Sequence, residues 1–309
     1  MLVHEAYSDL KLREPFVTIG VFDGVHRGHR ALLDRLVYGA KKNNSESAVI
    51  TFNPHPRLIL GHKNEKISYL STLAEKKTLL KKSCIDHLII MNFNKDVANT
   101  EAKGFVREVL VKKIGIRHLI VGYDNHFGKS KGGNFSNIRE YADLYGFTAE
   151  QVEGVSGPGG MISSTAIREA LLAGNLEFAN DCLGYHYSVT GEVIRGRGLG
   201  RKLGFPTANI RPDDSHKLIP SDGVYAVEIM VGSDIFPGVL SIGFNPTVDP
   251  GRASRSIEAN IFNFDGNLYG KTVTLFFKYR LREERKFDNM DQLTRQMEAD
   301  RNEALRLLK

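Results

Sequence analysis

The sequence contains little cysteine, no long apolar stretch and no strong excess of one charge. Its 309 residues include only two cysteines, Cys84 and Cys182, so neither a disulfide framework nor a cysteine-based zinc site is indicated. No apolar run approaches membrane-spanning length, and residues 1–12 lack the charged-then-apolar layout of a secretory signal. We therefore expect a reduced, cytoplasmic protein with no membrane partner.

The net charge of +6 is modest, and the cations are interspersed with carboxylates rather than concentrated in one arm. This pattern fits solvated helix faces and a small anionic substrate at least as well as nucleic acid. A nucleic-acid-binding protein is a rival hypothesis, but the basic segments lack the interleaved aromatic residues that stack on bases. We expect no nucleic-acid partner, and the sequence carries no signal for the oligomeric state.

The first part of the chain alternates short apolar runs with longer amphipathic segments. This alternation predicts an α/β domain with a Rossmann-like parallel sheet that is covered on both faces. The predicted strands are residues 16–22, 48–52, 87–91 and 118–121, and the predicted helices are 30–42, 72–82, 103–113 and 137–145. A loop is expected at 153–161, followed by helices at 164–173 and 176–183.

From residue 187 onward, short strand-like runs are separated by Gly, Pro, Asn and Asp turns, which predicts an antiparallel β-barrel or sandwich. The predicted strands are residues 187–193, 223–231, 236–242, 257–262 and 271–279, and an amphipathic terminal helix is expected at 291–308. The chain is long enough for two separate cores. We place the domains at 1–184 and 185–309.

The stretch GRGLGRKLGFPTAN at residues 196–209 precedes a predicted strand. Its glycines let backbone N–H groups approach phosphates closely, and Lys202 and two arginines supply positive charge. If the chain is extended after Pro206, Thr207 and Asn209 point to the same side and offer oxygen ligands suited to Mg²⁺. A plain glycine-rich hairpin is the alternative. The candidate phosphate-binding residues also include Gly196 and Gly204.

The sequence GVFDGVHRGH at residues 20–29 lies where the first predicted strand ends and the first helix begins, which is where open α/β sheets bind ligands. His26 and His29 are three residues apart and share a helix face near the N-terminus, where free N–H groups favour phosphate. Their imidazoles can donate hydrogen bonds to phosphoryl oxygens. A metal-binding pair or an ordinary polar surface are the alternatives. Further candidate nucleotide-binding residues here are Gly20, Phe22, Asp23 and Gly24.

The segment ISSTAIR carries a row of hydroxyl groups in front of an apolar helical stripe. Ser163, Ser164 and Thr165 fit a helix N-cap, and Arg168, one turn on, can bind a phosphate that the capped N–H groups also hold.

Two other segments follow predicted strands. Asn53 and His55 of FNPHP could contact substrate, although a turn made rigid by proline is the alternative. Asp124 of VGYDNHFG is available for ribose or base contacts, whereas His126 is more typical of a polar loop.

Together these motifs resemble the bifunctional riboflavin kinase/FAD synthetase family over nearly the whole chain and in the family's order. GVFDGVHRGH, FNPHP, VGYDNHFG and ISSTAIR are similar to its FMN adenylyltransferase module, which belongs to the nucleotidylyltransferase superfamily. GRKLGFPTAN, DGVYAV, GFNPTV, IEANIF, NLYG and YRLREERKF are similar to its riboflavin kinase module. The paired histidines are shared by many nucleotidylyltransferases, whereas GRKLGFPTAN with the downstream run is highly specific.

The resemblance implies a Mg²⁺-dependent enzyme that uses ATP to phosphorylate riboflavin to FMN and then transfers AMP from ATP to FMN, giving FAD and pyrophosphate. In the first module, it implies that His26 and His29 bind ATP phosphates opposite Ser164, Thr165 and Arg168. The FMN and adenosine pockets would then lie near Asn53, His55 and Asp124.

In the second module, the resemblance implies that Thr207 and Asn209 hold Mg²⁺ and ATP phosphates and that Glu258 is the base for the riboflavin 5′-hydroxyl. Without the resemblance, Glu258 could be an outward-facing charge on a strand. Leu281, Arg282 and Phe287 would close over flavin.

One departure concerns the family's usual Asp-Phe-x-Phe-Gly, where this chain has Asn125 and His126 after Asp124. We expect a weakened or altered flavin pocket at most. The rival enzyme is a nucleotidylyltransferase with a different phosphorylated acceptor, which would leave residues 196–287 without a purpose.

Overall fold

The computed structural model describes residues 1–5, 10, 12–61, 68–123, 127–128, 133–196, 200, 204–244 and 255–309. The chain divides into two compact units, Met1–Ser164 and Thr165–Lys309. The predicted domain boundary between residues 184 and 185 stays a prediction.

The first unit is built on a six-stranded parallel sheet with the order β1-β4-β3-β2-β5-β6. The predicted Rossmann-like parallel sheet is confirmed. The two edge strands, β1 and β6, were not predicted from the sequence. β1 has only three residues, and β6, with the sequence TAEQV, is largely polar. The strands are β1 Leu2–His4, β2 Phe16–Ile19, β3 Ser47–Asn53, β4 His87–Asn92, β5 His118–Gly122 and β6 Thr148–Val152.

Helices cover both faces of this sheet. Because side chains alternate along a strand, Val17 and Ile19 pack into one core while Phe16 packs into the other. The helices are α1 Arg27–Lys42, α2 Pro56–Leu60, α3 Leu73–Lys81, α4 Lys95–Asn99, α5 Ala102–Phe105, a π-helix Val106–Ile114 and α6 Phe135–Tyr145. The predicted loop 153–161 contains a two-residue ladder between β7 Ser156–Gly157 and β8 Gly160–Met161.

The second unit begins with α7 Ser164–Leu172, which starts at the last residue of the first unit, and α8 Leu176–Leu183. Asn180 ties α8 to the strands that follow. Its side chain accepts a hydrogen bond from the Tyr187 N–H at 2.7 Å and donates one to the Phe277 carbonyl at 3.0 Å.

The rest of the second unit is a closed antiparallel barrel with the order β10-β13-β12-β11-β14-β9. It closes because β9 pairs with both β10 and β14, so the predicted β-barrel is confirmed over the sandwich alternative. The strands are β9 Ser188–Ile194, β10 Ala208–Pro212, β11 Gly223–Val231, β12 Asp234–Phe244, β13 Arg255–Ile261 and β14 Thr272–Arg282.

The predicted terminal helix is present as α9, Met290–Leu307, and begins after the N-cap Asn289. Its Ala304 packs against Ala226 and Phe262 of the barrel. Within the described ranges, no helix has the length and apolar character needed to cross a membrane.

Candidate functional sites

The first site forms where β2 leads into α1. After Ile19 the chain passes through turn 20–25, in which Phe22, Gly24 and Val25 have φ values of 51°, 78° and 38°. Such left-handed backbone ends an extended strand, so the predicted strand 16–22 is too long. Phe22 and Val25 are buried, which fixes the turn in the core. Backbone held this way by its surroundings is concentrated at functional sites.

His26 and His29 lie side by side at the start of α1, on the N-terminal helix face that their spacing predicts. His26 is the N-cap, and its Nδ1 accepts a hydrogen bond from the His29 N–H at 3.3 Å. The two rings stack with centroids 3.6 Å apart, and the Phe22 ring lies 5.1 Å from that of His29.

The surroundings of His29 favour its neutral form. Burial lowers the pKa of its imidazole well below the ordinary value, and the nearby His26 and Lys76 lower it further. Its Nδ1 is buried and has no hydrogen-bond partner within the described part of the chain. Since buried polar atoms are nearly always paired in folded proteins, this nitrogen is suited to a bound polar group.

The chain's own groups support turn 20–25 from behind. The Asp23 carboxylate accepts hydrogen bonds from the N–H groups of Leu70 at 2.9 Å and Ser71 at 3.0 Å. The Ser71 hydroxyl accepts one from the Gly24 N–H at 2.9 Å. These contacts shape the turn, whereas nucleotide binding by Asp23 and Gly24 stays a prediction.

Lys76 of α3, which is only 4% exposed, was not among the site residues predicted from the sequence. Its Nζ donates a hydrogen bond to the Val21 carbonyl at 2.7 Å. Burial lowers the pKa of Lys76 to about 8, and the nearby Asp23 charge opposes this shift. Lysines are common on the exposed face of a charged amphipathic helix, so the sequence does not indicate that this one is buried.

The ISSTAIR segment reaches this site through Ser164, whose hydroxyl donates to the Asp23 carbonyl at 3.0 Å. Ser163 directly precedes α7. Thr165 and Arg168 lie in the first turns of α7 and belong to the second compact unit. The phosphate-binding roles of these residues stay predictions.

An apolar cavity of about 210 Å³ adjoins Gly20 and Val21 at the carboxyl ends of the strands. Most of its lining was not predicted from the sequence, because a single aromatic residue in an apolar segment is also typical of the core. The aromatic lining residues are Phe52, Phe93, Phe105 and Phe127.

The predicted polar residues near this cavity do not line it. Asn53 is exposed, and His55 is the N-cap of α2, where its Nδ1 accepts from the Arg57 N–H at 3.2 Å. Their neighbours Phe52 and Pro56 do form the lining. Residues 124–126, which include Asp124, lie outside the described residues.

The second site forms where β10 pairs with β13. Glu258 lies between the buried Ile257 and Ala259 and therefore faces away from the barrel interior, as a simple outward-facing charge would. However, the Thr207 hydroxyl donates a hydrogen bond to its carboxylate at 3.2 Å, and Asn209 is directly opposite it in the ladder. The structure thus brings the three residues together.

The backbone before β10 is closely fitted to this group. A Cβ on Gly196 would lie 2.0 Å from Nδ2 of Asn209, so a larger residue would have to displace the amide. Gly204 has a φ of +83°, which glycine adopts without strain. Asn260, missed in sequence analysis, donates to the Pro206 carbonyl at 2.7 Å and fixes the chain next to Thr207. The predicted Lys202 lies outside the described residues.

A second cavity, of about 680 Å³, opens beside Thr207. Its lining combines polar and apolar groups from β9, β10, β13 and residues 264–269, which include Asn267, Leu268 and Tyr269 of the NLYG motif.

The oxygen atoms of Thr207, Asn209 and Glu258 are the hard ligands that Mg²⁺ prefers, so this group fits the predicted metal. Over the described ranges, no cluster of three or more His, Cys, Asp or Glu residues could hold a metal ion. The histidine pair of the first site therefore gains no third ligand of these types from those residues.

Arg282 and Phe287 lie at the junction of the barrel and α9. The Arg282 guanidinium binds the buried Asp300 carboxylate at 2.8 Å and lies 5.8 Å from the Phe287 ring centre. These contacts dock the terminal helix, and the predicted flavin contact of both residues stays a prediction.

Comparisons with known proteins recognise both halves of the chain. One family model, FAD synthetase, matches residues 9–166, and a second, riboflavin kinase, matches residues 183–308.

Curated relatives cover most of the chain. Proteins of Listeria monocytogenes and Escherichia coli K12, both named bifunctional riboflavin kinase/FMN adenylyltransferase, are each 36% identical to it. The matches cover 92% of this chain in both cases, and 89% and 90% of the respective relatives.

Among solved structures, a Streptococcus pneumoniae crystal structure described as a macrolide-efflux protein matches with a TM-score of 0.88. It is 30% identical, and the match covers 97% of both chains.

Proposed function

The chain belongs to the bifunctional riboflavin kinase/FMN adenylyltransferase family, and on this premise we propose which of its residues carry each of the two reactions. One reaction phosphorylates riboflavin to FMN with ATP. The other adenylylates FMN with ATP and gives FAD and pyrophosphate.

For the kinase reaction, we assign the base to Glu258. The riboflavin 5′-hydroxyl must lose a proton as its oxygen bonds to the γ-phosphorus of ATP and ADP leaves, and a carboxylate within hydrogen-bond reach can accept that proton. The hydrogen bond from Thr207 orients the carboxylate.

Thr207 and Asn209 would hold Mg²⁺, which when bound neutralises charge on the ATP phosphates. The glycine-rich segment before them would bind the phosphates through its backbone. The cavity of about 680 Å³ beside Thr207 would take the rest of the nucleotide.

For adenylyl transfer, we assign phosphate binding to His26, His29 and the N-terminus of α1. An oxygen of the FMN phosphate bonds to the α-phosphorus of ATP, and the bond to pyrophosphate breaks. A neutral imidazole and free helix N–H groups can donate hydrogen bonds to the oxygens on which charge accumulates. The apolar cavity beside Gly20 would take the flavin ring.

The observation that carries the proposal is the direct contact of Thr207 with Glu258, together with the stacking of His26 on His29. Each pair joins residue types that the respective phosphate chemistry requires. Each also lies within one compact unit.

Chromatography of the products formed from riboflavin, ATP and Mg²⁺ tests the assignment. Asn209→Ala should lower FMN formation by about 10- to 100-fold, as is usual when metal-site groups are lost, and leave the conversion of supplied FMN to FAD unchanged. His29→Ala should lower only the second reaction, by about 100-fold or more. A folded variant that loses both reactions would refute the division of roles.

A further inference from the structure

Lys76 is buried although its helix has ample access to solvent. α3 carries three lysines, Lys76, Lys77 and Lys81. Lys77 is partly exposed and pairs with Glu5 at 3.5 Å, and Lys81 is exposed, whereas Lys76 points into the protein. Burying an ammonium group is unfavourable, and an apolar side chain of similar length would fill the space without that penalty.

The Lys76 ammonium is fixed beneath turn 20–25. It donates to the Val21 carbonyl, which also accepts from the Thr51 hydroxyl at 3.1 Å, and it is attracted by the Asp23 carboxylate. Asp23 is itself held by Leu70 and Ser71. Lys76 therefore connects α3 to the turn that leads directly into His26.

Lys76 also acts on His29 through its charge. Among the residues that the structure describes, the titratable groups that act on His29 are His26 on the helix cap and Lys76 on α3, and Asp23 in turn attracts Lys76. Two cations in a poorly hydrated region repel each other, so a protonated Lys76 opposes a proton on His29.

We propose that Lys76 is a positioning residue for adenylyl transfer, which fixes turn 20–25 in the shape that presents the two histidines. It does not contact substrate, because it is buried and its Nζ donates to the Val21 carbonyl. Its effect passes through the turn and through the charge state of His29.

The first test compares Lys76→Met with the matched control Lys77→Met. Lys76→Met keeps an unbranched side chain but removes the hydrogen bond and the charge. We expect kcat for FMN-to-FAD conversion to fall by about 10- to 100-fold, because small misplacements of reacting groups are costly. Riboflavin phosphorylation by the same molecules should be unchanged and reports the amount of active protein. Lys77→Met should retain both activities.

The pH dependence of the FAD-forming rate distinguishes an electrostatic effect of Lys76 on His29 from a purely structural role. Removing the cation raises the pKa of His29, so the acid-side fall in the FAD-forming rate should move to higher pH in Lys76→Met. Lys76→Gln keeps a donor for Val21 but no charge and should show the same shift, whereas Lys76→Arg should not. The FMN phosphate also titrates, with a pKa of about 6 for such groups, but it does so equally in every variant.

A wild-type FAD-forming rate in Lys76→Met overturns the proposal, as does a lowered rate with an unmoved acid limb. If Lys76→Met does not fold, Lys76→Gln decides the question. A shifted acid limb in that variant supports the proposal, and an unshifted one refutes it.

Discussion

The two sites differ in the nucleophile that each must serve. FMN already carries an ionised phosphate, so its attack on ATP needs hydrogen-bond donors but no base. Riboflavin offers a neutral hydroxyl, which must lose a proton. Accordingly, the first site presents stacked histidines at a helix N-terminus, and the carboxylate of its turn, Asp23, accepts hydrogen bonds from backbone N–H groups. In the second site, Glu258 stands beside Thr207 and Asn209.

The sites also differ in how firmly they are supported. Turn 20–25 rests on buried groups, one of which is the Lys76 ammonium. Its pKa is lowered from 10.5 to about 8, so the buried charge lowers the free energy of unfolding by roughly 3 kcal/mol. Because the unfolded chain holds this proton more strongly, the cost is full below pH 8 and disappears as the pH rises toward 10.5. The Thr207 segment rests on more exposed contacts such as that of Asn260.

The sharpest test of this comparison is Glu258→Gln. The amide keeps the shape and can still accept from Thr207, but it cannot take a proton. We expect FMN formation to fall by about 100- to 10,000-fold, the usual range for a lost general base, while FAD formation from supplied FMN is retained. Glu228→Gln, which breaks an ion pair with Lys278 elsewhere on the barrel, is the control. Similar losses in both reactions would contradict the assignment of the base.

A smaller effect is expected from Gly196→Ala, which tests the close fit around Asn209. The added Cβ would lie 2.0 Å from Nδ2 of Asn209 and must displace the amide. We expect riboflavin kinase activity to fall by about 100-fold, with a higher Mg²⁺ concentration needed for half-maximal rate. Gly232→Ala controls for general strain, since its φ is +63° but nothing lies within 4 Å of the new Cβ. Equal activity in the two variants would rule out the proposed fit.

The sequence predicts those features that depend on local periodicity. The continuous apolar runs reveal β2 to β5, and the spacing of His26 and His29 and of Thr207 and Asn209 places each pair on one face. Lys76, by contrast, meets its partner Val21 across 55 positions, and Asn260 meets Pro206 across 54. No local pattern encodes such contacts. Glu258 is intermediate, because family resemblance identifies it while its own strand pattern indicates only an exposed charge.

The smallest expected effects come from two variants, each of which removes one hydrogen bond that supports one of the two sites. Asn260→Ala removes one exposed hydrogen bond to the Pro206 carbonyl, and a typical contribution of about 1 kcal/mol corresponds to a three- to tenfold lower kcat/KM for ATP in FMN formation. Ser71→Ala is the counterpart in the first site. It removes the hydrogen bond that the buried Gly24 N–H donates to the Ser71 hydroxyl, so FAD formation should fall more steeply, because the loss of a buried hydrogen bond costs more than the loss of an exposed one. If Asn260→Ala lowers the rate of FMN formation by a larger factor than Ser71→Ala lowers the rate of FAD formation, the first site is not the more firmly supported of the two.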